Sequence, residues 1–435
     1  MAIVLQNAVL ADIDPISVEI GELRIDGGLI VERGPTVERQ AGDEQVDCDG
    51  GVVLPGMVNG HTHLYSALAI GMPPPSQPPQ NFLEILKLVW WRLDQALDAE
   101  AIETSARIGA LDALRCGTTT LIDHHASPNW IDGSLDLIEQ AVAEVGLRAI
   151  LCYETTDRHG PAGSEAGLDE NRRYLAKFEY RQNNQFAGLV GAHASFTLED
   201  ETLKQIVKLA DQHATGVHIH VAEDLCDEDL CNEQHQAALI DRLNGFSLLK
   251  ERNIFAHGTH LEPGAIAQAG AVGLTLAHNP RSNMNNAVGY APVADYRCPV
   301  MLGTDGIGQD MLAEAKQAWF IARDVQAGLS PERIVDMLAA GARRASESLD
   351  ITLGKLEPGA AADIVITDYQ PTTPLNSDNL PMHLLFGMDS RHVRDVIAAG
   401  KWALRDRQVL AVDEDVLRWE ASKIAEKLWR RMEQY

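Results

Sequence analysis

Two changes in hydrophobic rhythm divide the chain. Residues 1–55 alternate apolar and polar positions over short runs, in AIVLQNAVL, VEIGELRIDGG, LIVERG and VDCDGGVVLPG. A period of two predicts strands, and the Asp26-Gly27-Gly28 stretch between two of these runs signals a hairpin. From about Met57 the pattern becomes near-continuous apolar runs separated by amphipathic segments. The runs are MVNGHTH, TTTLIDHH, RAILCYE, LVGAHAS, GVHIHVAE, NIFAHGTH, GLTLAHN and PVMLGTDG. Between them, residues 99–114, 133–145, 168–183, 199–212 and 235–250 read as helices, the fourth capped by Thr197 or Asp200. The PPPSQPPQ run at 73–80 reads as a stiff loop after the first of these strands. Ser330-Pro331-Glu332 has the cap, early proline and early acid of a helix start. Then GKLEPGAAADIVITDY and HVRDVIAAGKWALRDRQVL return to strand alternation, and a last helix over 413–433 runs from acidic to basic.

Apolar strands separated by helices imply a parallel sheet covered on both faces. Eight such units in succession predict a closed (β/α)₈ TIM barrel, an α/β fold. The β segments that flank it join most simply into one small composite β-sandwich domain. The expected organisation is therefore residues 1–55 as the first part of the sandwich, 56–353 as the barrel, and 354–435 as the second part with its helix.

Composition narrows the partners. The formal net charge is −27 over 435 residues. That excludes the basic footprint of a nucleic-acid binder and disfavours an anionic membrane surface. No apolar window approaches the roughly 18 residues of a membrane span, and the N-terminus lacks a basic leader. The six cysteines, none in CxxC spacing, read as free thiols in a reducing compartment, so a cytoplasmic location is expected.

The candidate chemistry sits where the apolar strands end. His61 and His63 end the first, His124 and His125 the second, His193 the fourth, and His218 and His220 the fifth with Glu223 just beyond. His257 and His260 end the sixth, His278 the seventh and Asp305 the eighth. In a TIM barrel that end carries the active site. His61 and His63 lie two apart and so point the same way from a strand. With His220 and Asp305 they make an N₃O set suited to one divalent ion, zinc first and ferrous iron second. Water on such an ion deprotonates near pH 7 and becomes a nucleophile. Glu223 is placed to shuttle a proton, and His257 to hydrogen-bond the nucleophile or leaving group. His218 reads as a barrel-interior residue one layer deeper. Trp91 could stack on a planar ring or pack on the barrel; Arg281 could bind an oxo or carboxylate group or pair with an acid.

Together PGMVNGHTH, HIHVAE, FAHGTHL, HNPRSNMNNAVG and LGTDG resemble the amidohydrolase superfamily, in its cytosine, guanine and triazine deaminase-like branch. DHHASP, AHASFT and HNPRSNMNNAVGYAP are most similar to SsnA-type aminohydrolases. The resemblance spans essentially the whole chain. It implies His61, His63, His220 and Asp305 as metal ligands, with Asp305 also accepting the water's proton, and Glu223 and His257 as the proton-handling pair. It implies His193 as a substrate contact, with His124, Trp91, Arg281 and Asn283 grouped there too. The 279–283 stretch would edge the pocket. No lysine falls between Lys177 and Lys204, where two-metal relatives carry a carbamylated bridge, so one metal is expected. Gly60 precedes the first histidine where alanine is more usual. The implied activity is deamination of a small N-heterocycle, purine-like by preference, by a homodimer. Cyclic amide opening, or hydrolysis of another leaving group such as chloride, is the alternative. A scaffold that lost catalysis would lack ligands, and none is missing.

Overall fold

The computed structural model describes residues 2–179 and 184–435. Residues 180–183, the end of the helix expected over 168–183, lie outside them. Five strands come first: β1 (Ile3–Ile13), β2 (Ile16–Asp26), β3 (Leu29–Gly34), β4 (Glu44–Asp47) and β5 (Val52–Pro55). The barrel strands follow as β6 (Met57–Thr62), β7 (Thr118–His125), β8 (Arg148–Tyr153), β9 (Phe186–Gly188), β10 (Val190–Ala194), β11 (Val217–Val221), β12 (Ile254–His257), β13 (Thr275–His278) and β14 (Val300–Leu302). Last are β15 (Ile364–Thr367), β16 (Val393–Ala398), β17 (Lys401–Arg405) and β18 (Gln408–Val409).

The barrel forms as two parallel sheets, β6-β7-β8-β9 and β10-β11-β12-β13-β14. β9 and β10 are one strand position in which the chain changes partner at Leu189: its N–H bonds Leu151 on one side, and the next N–H bonds Gly216 on the other. Two bridges join the sheets edge to edge, Thr155 with Ala192 and Thr62 with Asp305. At the second seam the N–H groups of Thr304 and Asp305 both donate to His61 O at 2.9 Å. The contact that closes the ring thus sets Asp305 beside the first histidine.

Two glycines permit this closure. A Cβ on Gly60 would lie 2.7 Å from Leu302 O, and one on Gly303 would lie 2.8 Å from His61 N. The departure at Gly60 therefore has a packing reason: strands one and eight approach too closely there for alanine.

β1–β5 and β15–β18 share one nine-stranded sheet in the order β18-β17-β16-β15-β5-β1-β2-β3, with β4 pairing the first part of β1, Ile3 to Gln6, and β5 pairing it at Val9 and Leu10. The antiparallel β5–β15 pair ties the two ends of the chain. β2 and β3 form the hairpin expected at Asp26, with Gly27 and Gly28 at φ 59° and 84°. Leu5, Leu10, Leu23, Ile30, Ile364 and Ile397 fill this sheet's own core.

The helices mostly follow their capping signals. Asp98 caps Ala99–Arg115, Ser330 caps Pro331–Leu349 and Asp413 caps Glu414–Met432. Three expectations fail. The helix placed at 168–183 runs Gly160–Ala176, eight residues earlier at its start, and a tighter turn over Lys177–Glu179 follows it. The helix Asp200–Gln212 starts after Glu199, without a side-chain cap; the Thr197 hydroxyl is engaged by His193 and Ala194 O, and Asp200 lies inside the helix. The segment placed at 235–250 is two helices, Leu225–His235 and Leu239–Gly245; Asp224 caps the first and a left-handed Gln236 ends it. The final helix packs on the barrel, where Lys427, Arg418 and Arg431 pair with Glu100, Asp112 and Asp98. No described helix is long and apolar enough to cross a membrane.

Candidate active site

The strand ends converge as the period-two pattern requires. One ligand atom each from His61, His63, His220 and Asp305 lies within 4.8 Å of all the others. His63 Nε2 is 2.9 Å from Asp305 Oδ1, His61 Nε2 is 3.5 Å from the same oxygen, and His220 Nε2 is 3.3 Å from His63 Nε2.

The far nitrogen of each imidazole is already occupied. His63 Nδ1 donates to His124 O at 2.5 Å, and His220 Nδ1 donates to His193 O at 2.9 Å. His61 Nδ1 meets His218 Nε2 at 2.9 Å, so the deeper histidine has a partner as expected of a barrel-interior residue. These bonds leave the three Nε2 lone pairs free for one point. His61 Nε2 is buried and has no hydrogen-bond partner. A buried orphan nitrogen facing two imidazoles and a carboxylate is what a cation would satisfy. Charges respond accordingly. Burial drives the His61 imidazole down to about 3. At His63 burial acts the same way, but the Asp305 contact outweighs it and lifts the group to about 9. Burial opposes the Asp305 charge, yet the two histidines hold that carboxyl well below its usual range.

A second cluster adjoins the first. His257 Nδ1 meets Asn283 Oδ1 at 2.8 Å, turning Nε2 towards Glu223 Oε2 at 3.5 Å and Asp305 Oδ2 at 3.9 Å. Glu223 Oε1 accepts from Asn286 at 3.2 Å, and Asp305 Oδ2 accepts from Ser282 at 2.5 Å. Burial, aided by the Asp305 charge and opposed by His257, pushes the Glu223 carboxyl up to about 7. His257 and Asp305 both hold left-handed backbone, φ 75° and 53°. Strain of that kind persists where surroundings fix it, commonly at functional sites.

The clusters open into a cavity of about 710 Å³ measured out to its mouth. Its apolar wall is Phe82, Leu86, Trp90, Trp91 and Phe196, and its floor includes His63, His220, Glu223 and Asp305. Of the expected substrate contacts, His193 and Trp91 line it. His124, Asn283 and Arg281 do not. His124 lies beneath, with Nε2 on Ala192 O and His218 O. Asn283 faces His257 instead of the cavity. Arg281 is drawn away by the buried acid Glu314. His260 is also elsewhere, bonded to Val288 O.

Among the polar lining residues, Asn286, Glu154, Asp94, Asp224 and Asp227 escaped the sequence reading. Glu154 carried a usable signal, since it follows the third apolar strand as His193 ends the fourth. Its carboxylate lies 3.3 Å from His124 Nδ1, 3.8 Å from His193 Nε2 and 3.3 Å from Arg158 Nη2.

Fold and site together define a parallel barrel built round a cation-binding cluster at the strand ends. The chain belongs to the amidohydrolase family, whose profile matches residues 52–403. It is 30% identical over 429 residues to a 5-methylthioadenosine/S-adenosylhomocysteine deaminase of Pelotomaculum thermopropionicum, covering 94% of each chain. It is 28% identical over 439 residues to a 5′-deoxyadenosine deaminase of Methanosarcina mazei, covering 99% of each. In fold it is similar to an adenosine deaminase from Xanthomonas campestris with bound zinc, with TM-score 0.85, 23% identity, and 100% and 99% coverage. The fold implies a divalent metal, and the His61, His63, His220 and Asp305 set fits one.

Proposed function

We propose that this chain is a one-zinc aminohydrolase of SsnA type, releasing ammonia from a purine-like heterocycle in the cytoplasm. The observation that carries the reading is the adjacency of two clusters: His61, His63, His220 and Asp305 on one side, Glu223, His257 and Asp305 on the other. Asp305 belongs to both. The deaminase relatives support the substrate class. Six free cysteines, four of them buried, support a reducing compartment. A homodimer rests on the family resemblance alone.

His61, His63, His220 and Asp305 would hold a divalent ion, which would bring a water close to deprotonation at neutral pH. Asp305 Oδ2, steadied by Ser282, accepts a proton on the side that faces His257 and not His61 or His63. His257 accepts a hydrogen bond at Nε2 because Asn283 fixes the proton on Nδ1. Glu223 holds a proton near neutrality and passes it from Oε2 to the ring nitrogen beside the carbon that bears the amino group. Glu223 then takes the proton left on the added oxygen as the carbonyl forms, and Asp305 gives its proton to the departing amine. Trp91 and the neighbouring aromatic wall offer a planar face to the ring.

The test is ammonia release from a panel of aminopurines, adenine nucleosides and aminopyrimidines, with metal-loaded and chelator-stripped protein. Metal-dependent release from at least one purine is expected. Silence across the panel, or release that survives chelation, contradicts the reading.

A further inference from the structure

The cavity's charges are one-sided. Six of its lining residues are acids: Asp94, Glu154, Glu223, Asp224, Asp227 and Asp305. Glu223 holds the proton used above and Asp305 faces the metal histidines. Burial pushes Asp94 and Asp227 up to about 7, so that these two are partly ionised at neutral pH beside the charged Glu154 and Asp224. Among the described lining residues none is lysine or arginine. The arginines that approach are committed elsewhere. Arg158 lies over the Trp91 ring at 4.4 Å and divides Nη2 between Asp94 Oδ2 at 3.0 Å and Glu154 Oε1 at 3.3 Å. One cation thus answers two carboxylates. Asp94 Oδ1 is buried and takes no hydrogen bond from the protein. Arg242 bonds Ser195 O, Leu198 O and Asp200, and Arg281 bonds Glu314; neither lines the cavity.

We propose that this charge pattern restricts the cavity to neutral or cationic heterocycles and closes it to those carrying a carboxylate or phosphate remote from the reacting carbon. The proposal rests on the purine reading above and narrows it. An anionic substituent would lie among acids, with no guanidinium or ammonium on the cavity wall to receive it. Like charges brought together at a binding surface reject the wrong partner strongly. A neutral substituent meets no such opposition, and an ammonium gains the unanswered oxygen of Asp94. Asp94 and Asp224 are thus specificity determinants.

The test is a charge series on one scaffold, presented to the metal-loaded enzyme: 5′-deoxyadenosine, 5′-amino-5′-deoxyadenosine and adenosine 5′-carboxylic acid. Deamination kcat/KM and thermal protection are read together. The neutral and cationic members should fall within about tenfold of each other, and the anionic member about 100-fold or more below. Asp224→Asn, which keeps its helix-capping oxygen, and Asp94→Asn should each narrow that gap by about tenfold. An anionic member within tenfold of the neutral one overturns the proposal, as does a gap unmoved in both variants. If no member is turned over or protects the protein, the purine reading itself falls and takes this proposal with it.

Discussion

In the nine-stranded sheet, three buried aspartates have both oxygens bonded. Asp12 accepts from Leu356 N–H and from Arg33, Asp363 from Ala399 N–H and Arg148, and Asp395 from Asp406 N–H and Arg394. At the catalytic end of the barrel, Asp94, Asp123 and Asp227 are just as buried, yet each leaves one oxygen unpaired. His61 Nε2 and His257 Nε2 join them. Buried polar groups ordinarily find partners, and a buried charge without one is costly. The sheet obeys that rule and reads as a structural unit. The barrel end departs from it where a metal and a substrate would supply what the protein omits.

Breaking the barrel cluster should have the largest effect. Asp305→Ala removes the residue common to both clusters. Metal content should fall to background, and turnover by more than the roughly 10²–10³-fold seen for one charge-stabilising group. Metal analysis beside the ammonia assay checks both. Glu223→Gln keeps the shape and removes the mobile proton. Turnover should drop at least about 100-fold with metal retained. A variant that loses both metal and activity would make Glu223 a structural residue. One step further out, His218→Ala removes the partner of His61 Nδ1. Outer partners of metal-binding histidines are worth about 10–100-fold in metal affinity, so a chelator-competition titration should shift by that much.

The same substitution logic in the sheet should spare the chemistry. Leu23 is fully buried in the sheet core. Leu23→Ala should cost about 2–5 kcal/mol of stability while kcat per folded molecule stays unchanged. A fall in kcat would show that the sheet reaches into the site.

The smallest effect is a pH dependence. Burial pushes Asp123 up to about 7, against the Leu64 N–H that it accepts. A carboxyl raised in the folded state stabilises fully below its ordinary range, near 4, and loses that contribution as pH rises through 7. Asp123→Asn should therefore flatten the decline in Tm between pH 4 and 7. An unchanged slope would mean that this carboxyl is ionised throughout.

How far the sequence carried depended on where each residue sits. His61, His63, His220 and Asp305 end strands, and a strand's period of two together with the barrel's parallel order sets them on one face. That logic also reached Glu223 and His257, and it covers Glu154, which went unread. It fails in loops. Pro280–Asn285 is a short helix inside a stretch that reads as loop. Asn283 and Asn286, three residues apart, consequently divide their work, one on His257 and the other on Glu223. Arg281 was expected to meet substrate or a surface acid. Its partner, Glu314, lies on Met311–Asp324, and no local pattern reports a buried acid contributed by a different helix. Asp94 and Arg158 meet for the same reason, 64 residues apart.

The central claim is that His61, His63, His220 and Asp305 form one metal site. Equilibrium dialysis of chelator-stripped protein against zinc, with His63→Ala as the control, tests it most directly. The account predicts one tightly held ion per chain and none in the variant. No stoichiometric binding, or two ions per chain, would contradict it.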